Sequence, residues 1–87
     1  MDLEPTTTSD TPLAAYLLYH NHRLVGMIPD TNDRKRLVFA FVKQENTDLL
    51  IDDFYQGDPQ VNPQIYYKKT KLVHEAIREA KMKDERQ

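Results

Sequence analysis

The chain has 87 residues, no cysteine and a formal net charge of -2. That is enough for one small domain of modest stability, and it excludes a disulfide framework or a thiolate metal centre. The charge is uneven: residues 1–63 carry a net of -5 and residues 64–87 a net of +3. An acidic body with a basic C-terminal segment suits a contact with nucleic acid or an acidic partner, although a helix C-terminus also tolerates cations well.

Residues 1–9, with Pro5 and a run of three threonines, read as a flexible N-terminal tail ahead of one domain spanning 10–84. Ser9, Asp10 and Thr11 are good N-caps and Pro12 suits a first turn, so a first helix is expected from Pro12 to His20. Its apolar residues run nearly all the way round, which places it in the core or against a partner. The stretch "HRLVGMIP" at 22–29 reads as a strand, and "RLVFAFVK" at 36–43 is the strongest strand signal. In that second strand Leu37, Phe39 and Phe41 share one face and Val38, Ala40 and Val42 the other, so both faces call for cover.

A second helix is expected from Glu45 to Gln56, with Gly57 as a left-handed C-cap and Pro59 blocking continuation. Asn62 as N-cap and Pro63 as first residue open a third helix, which runs to about Lys83 before residues 85–87 fray. The expected order is α-β-β-α-α, an α+β domain of three helices packed on a β-hairpin.

"TSD" with "LAAYLL", then "RLVFAFV", "DFYQG" and "VNPQIYYKKTKLV", covering about residues 8–74, resembles a family of small uncharacterised bacterial and phage proteins, a domain of unknown function. The matching residues are capping, core and helix-start positions. The resemblance implies a shared fold and a phage or mobile-element setting, and it carries over no catalytic residue. Asn21 and His22 stand where glycine would be expected to close the first helix, and asparagine accepts that left-handed position.

Catalytic chemistry finds little footing. Ser9 is the only serine and is placed to cap a helix, and neither Gly26 nor Gly57 belongs to a phosphate-cradling motif. No enzymatic activity, cofactor or metal site is expected. His20 and His22 straddle a helix end and lack further ligands at zinc spacing, so a hydrogen-bonded, part-buried histidine is the preferred reading. Glu45, Asp48 and Asp52 fall on one face of the second helix. Stacked carboxylates match the oxygen preference of Mg²⁺ or Ca²⁺, but acidic residues near a helix N-terminus are also favoured simply by its dipole. With Leu49 inside it, that acidic face suits a protein partner.

On the third helix, a turn of ~100° per residue puts Ile65, Leu72, Val73, Ala76 and Ala80 on an apolar side, with Tyr66 and Ile77 at its edge. Opposite lies a stripe of Tyr67, Lys71, His74, Arg78 and Lys81, flanked by Glu75 and Glu79. Lysine and arginine in such a row neutralise phosphates, and a tyrosine stacks on a base; an ordinary solvated helix face or a contact for an acidic protein reads the same way. The expectation is a small binding module contacting nucleic acid weakly and with strong salt sensitivity. The alternative is a protein-interaction module: a homodimer, an adaptor or an inhibitor of a larger complex. The longest apolar run, residues 13–19, is far too short to span a bilayer, and a cytoplasmic location is the default.

Overall fold

The computed structural model describes residues 5–57 and 59–85. It is a small α+β fold of a three-stranded antiparallel sheet and three helices. The order is β1 (Thr6–Thr8), α1 (Thr11–Tyr19), β2 (Leu24–Pro29), β3 (Leu37–Phe41), α2 (Thr47–Gln56) and α3 (Pro63–Glu85). The expected hairpin is therefore only part of the sheet. Thr6–Thr8, assigned from sequence to a flexible tail, pair with Phe41, Ala40 and Phe39 and add a third strand. Threonine is β-branched and fits a pleated edge. Residues 1–4 of the expected tail, and 86–87 of the expected frayed end, lie outside the described residues, while α3 continues to Glu85.

The strand order β1-β3-β2 makes β3 central. This is why its sequence is apolar on both faces: Val38, Phe39, Ala40 and Phe41 are all buried. Phe39 and Phe41 join the core formed with Leu13, Ala14, Ala15, Tyr16 and Leu17 of α1, Leu50 of α2 and Val73 of α3. The five consecutive buried residues of α1 explain its lack of a polar face: it is surrounded by sheet and helices. Between Leu24 and Gly26 the β2–β3 register slips by one residue. Gly26 lies at that bulge with φ +151°, a conformation that residues with a Cβ rarely adopt, and Val25 is left largely exposed.

The helix ends follow local chemistry closely. Asp10 accepts a hydrogen bond from the Leu13 amide at 3.3 Å and caps α1. At the other end Asn21 adopts φ 65°. The Asn21 amide then donates to the Leu18 carbonyl at 3.0 Å and the His22 amide to the Leu17 carbonyl at 3.0 Å, the two bonds of a Schellman closure. Asn62 caps α3 by accepting from the Gln64 and Ile65 amides at 3.0 and 3.2 Å.

The start of α2 departs from expectation. The helix begins at Thr47, so Glu45 precedes it and does not share a helical face with Asp48 and Asp52. Thr47 is fully buried, and its hydroxyl accepts from the Gln44 amide at 2.7 Å, closing a turn where the helix was expected to begin. Gly57 also differs: its φ is -93° and ψ -161°, extended and not left-handed. Glycine is nevertheless required there, because a Cβ would lie 2.8 Å from the Asp53 carbonyl oxygen.

Candidate nucleic-acid interface

The hydroxyl of Tyr66 donates to the Pro12 carbonyl at 2.8 Å, and Tyr19 Oη accepts from the Asn62 amide at 2.9 Å. These two bonds tie the start of α3 to both ends of α1 and set the rotation of α3 about its own axis. Val73 is completely buried and Tyr66 and Ile77 pack against the core, whereas Ile65 and Leu72 are each 46% exposed. The buried line is thus centred on Val73, and the expected placement of Ile65 and Leu72 in the core is corrected. Burial turns Tyr66 inward, and with the charge of Asp10 nearby it raises the phenol above its ordinary value.

That rotation changes what the basic stripe faces. Tyr67, Lys71, His74, Arg78 and Lys81 are all exposed on one flank of α3. His74, Arg78 and Lys81 line a shallow depression with Ile77 and Met82, so the stripe borders the core seam instead of standing directly opposite it. Lys71 Nζ sits 4.7 Å from the centre of the Tyr67 ring, a cation–π contact one helical turn along. Among residues 5–57 and 59–82 the one ion pair is Lys43–Asp48 at 3.6 Å, which involves no residue of this stripe. Neither Glu75 nor Glu79 therefore holds any of these cations in a bond.

Lys81 also reaches a second feature, a cleft of ≈ 360 Å³ between α3 and the sheet. Its apolar lining comes from Met27, Leu37 and Phe39 of the sheet and Ile77 and Ala80 of α3. Lys35 and Arg36 stand across it from Lys81, and the hydroxyl residues Ser9 and Thr11 complete the wall. Among residues 5–57 and 59–82, no acidic side chain lines the cleft.

The β2–β3 turn fixes the backbone at Lys35 and Arg36 largely through its own aspartates. Asp30 Oδ1 accepts from the Asn32 amide and Asp33 Oδ1 from the Lys35 amide, each at 3.1 Å. The Arg36 amide donates to the Asp33 carbonyl at 2.9 Å, and the Asp30 amide to the Arg36 carbonyl at 2.8 Å. Lys35 and Arg36 were missed by reasoning from sequence, which treated this segment as a turn and nothing more. The signal was present as the triplet "RKR" at 34–36, three of the five cations of the acidic body.

The other residues singled out from sequence are dispersed. Asp48, Leu49 and Asp52 are exposed on α2, Leu49 by 65%, and Glu45 is exposed in the preceding turn. Asp48 is occupied by Lys43. Among the described residues no three His, Cys, Asp or Glu side chains come together in a way that would hold a metal ion. No helix among them is long and apolar enough to cross a membrane.

The two histidines at the end of α1 are structural in their contacts. His22 is 2% exposed, with Nε2 2.8 Å from the Thr47 hydroxyl and Nδ1 3.4 Å from the His20 carbonyl. A carbonyl can only accept, so the proton belongs on Nδ1, and Nε2 accepts from Thr47. His20 packs edge-on against Tyr16 and Tyr19, and its Nε2 is buried without a hydrogen-bond partner. Desolvation, followed by the neighbouring His22, lowers its pKa from the ordinary 6.5, with Asp53 opposing more weakly.

A group whose folded-state pKa is lowered binds fewer protons folded than unfolded. The stability linked to His20 is therefore complete above pH 6.5 and falls away as the pH drops through that value toward the lower folded-state pKa. We expect the urea midpoint to fall between pH ~8 and pH ~5, and His20→Gln to flatten that dependence. Equal slopes for the two proteins would show that His20 is not the group responsible.

Compared with protein-family models, curated proteins and solved structures, the chain finds no match.

Proposed function

We propose that the protein is a small non-enzymatic module that contacts nucleic acid through the basic flank of α3. One observation carries this reading: cations from two separate elements, Lys81 of α3 and Lys35 and Arg36 of the β2–β3 turn, line one cleft that no acidic side chain of residues 5–57 or 59–82 lines. Together with Lys71 and Arg78 they form a basic track on a chain whose net charge is negative. The track supplies phosphate contacts, and Tyr67, 61% exposed, supplies an aromatic surface beside Lys71. Few cations take part, so binding is weak and strongly salt-dependent. The resemblance noted above supports an accessory role in a phage or mobile element.

Fluorescence anisotropy with labelled oligonucleotides over a salt series tests the proposal. Changing Lys71, Arg78 and Lys81 to alanine together removes three phosphate contacts. The slope of log affinity against log salt then becomes shallower by roughly 2 on single strands, and affinity at low salt falls. An unchanged slope and affinity would sink the reading.

A second reading, a protein-interaction module, is supported by Leu49. It is 65% exposed between Asp48 and Asp52, with Glu45 nearby, an apolar contact inside an acidic surface. Under that reading Leu49→Asp, and not the change on α3, abolishes the interaction.

A further inference from the structure

The cleft between α3 and the sheet is more than a gap between cations. At ≈ 360 Å³ it lies near the lower end of the range for ligand sites, about 300–1,000 Å³, large enough for one ring system and its neighbouring group. Its lining combines apolar side chains (Met27, Leu37, Phe39, Ile77 and Ala80) with three cations and two hydroxyl residues. A nucleotide has the same layout: a flat base with a largely apolar face, polar groups around its edge, and a phosphate a few bonds away.

We infer that the cleft receives one unpaired base of a single strand, with the flanking phosphates held by Lys35, Arg36 and Lys81. This rests on the nucleic-acid reading above and makes it more specific. Met27 and Ile77 supply the apolar contact for the base, and the hydroxyls of Ser9 and Thr11 can donate to or accept from its edge. Stacking and apolar burial of this kind tolerate any of the bases, because each has a π-face.

Continuity argues for a strand. Lys81 belongs both to the cleft and to the exposed stripe that runs back through Arg78, His74 and Lys71 to Tyr67. A backbone laid along the stripe therefore arrives at the cleft mouth, while a second base meets Tyr67 at the far end. A duplex cannot use this arrangement without extruding a base, which forfeits pairing and stacking. The protein accordingly discriminates single strands from duplexes by geometry, with no sequence-specific contact required.

The test uses the full chain, labelled single strands of ~12 nucleotides, the corresponding duplex, a strand of abasic sites and free nucleoside monophosphate. The expected result is a preference of about tenfold or more for the single strand over both the duplex and the abasic strand, since neither of these offers a base to the cleft. Ala80→Leu fills the cleft and retains helix propensity, and it reduces single-strand affinity about tenfold while leaving duplex affinity unchanged.

Lys35→Ala with Arg36→Ala, at exposed turn positions, gives a second variant that weakens single-strand binding without touching the core. Amide shifts at Met27, Leu37, Ile77 and Ala80 on adding the strand locate the base directly.

Equal affinity for strand, duplex and abasic strand, with Ala80→Leu silent, overturns the inference. If the α3 triple change still weakens binding in that case, the nucleic-acid reading stands without a base in the cleft. If that change is silent too, the reading itself fails. Monophosphate binding as tight as the strand overturns the strand assignment and makes the cleft a site for free nucleotide.

Discussion

Phe41→Ala lowers the thermal midpoint by roughly 12–40 °C. Phe41 has no exposed surface, and in the sheet it sits between Thr6 on one neighbour and Leu24 on the other. Its ring belongs to the cluster that joins α1, Leu50 of α2 and Val73 of α3, so truncation opens a cavity where every layer of the fold meets. Removing a buried phenylalanine costs about 3–5 kcal/mol in lost transfer energy and cavity formation. A domain of 87 residues has only about 4–13 kcal/mol of stability in total, and each kcal/mol moves the midpoint of so small a domain by about 4–8 °C. The exposed Tyr67 provides the control: Tyr67→Ala leaves the midpoint nearly unchanged. Calorimetry on the two variants decides the matter, and a shift of only a few degrees for Phe41→Ala would mean that the core does not converge on this ring.

The second large effect comes from a polar residue. Thr47→Val keeps the volume of a buried side chain and removes its hydroxyl. That hydroxyl accepts from the Gln44 amide at 2.7 Å and donates to His22 Nε2 at 2.8 Å. Valine leaves both partners unsatisfied, each at a cost of about 1–3 kcal/mol, so unfolding in urea shows a loss of roughly 2–6 kcal/mol. Thr47→Ser is the informative comparison. It loses one methyl group, worth about 0.8 kcal/mol, and keeps both hydrogen bonds. A serine variant as unstable as the valine variant would show that packing, and not the hydroxyl, holds this junction together.

The bond matters because it is the long-range link between the end of α1 and the start of α2. His22 is the residue after the left-handed Asn21, so the Schellman closure of α1 aims its ring at Thr47. A local backbone signal and a tertiary hydrogen bond therefore cooperate at one point. Reasoning from sequence recognised Asn21 as a left-handed closure and His20 as part-buried. It did not recognise Thr47, because threonine in "QENTDLL" looks like an ordinary residue near a helix start. Its bond to the Gln44 amide is local, but the second bond of its hydroxyl exists only once His22 arrives from the end of α1.

The remaining differences have the same origin. Thr6–Thr8 carry no hydrophobic alternation, so nothing local distinguishes a polar tail from an edge strand. The distinction depends on the unpaired edge of β3 being available to accept them. On α3, helical spacing separated a basic row from an apolar row, yet the apolar row was centred to one side of the true one, which leaves Ile65 and Leu72 exposed. Ile65 and Leu72 are as apolar as Val73, and periodicity alone weights them equally. The hydrogen bonds of Tyr66 to Pro12 and of Tyr19 to Asn62 choose the rotation. That choice swings the basic row toward the sheet and places Lys81 across a cleft from Lys35 and Arg36.

By itself, then, the sequence determined what depends on neighbours a few residues apart. It marked the caps at Asp10 and Asn62, the closure at Asn21, the three helices, the two apolar strands and the basic row on the last helix, since capping and periodicity act within a turn or two of chain. The tertiary structure decided which face each helix turns inward, whether three threonines join a sheet, and which distant cations share a cleft. Those outcomes turn on contacts between residues tens of positions apart, such as Tyr66 with Pro12 and Thr6 with Phe41, whose energies exist only once the chain has closed on itself.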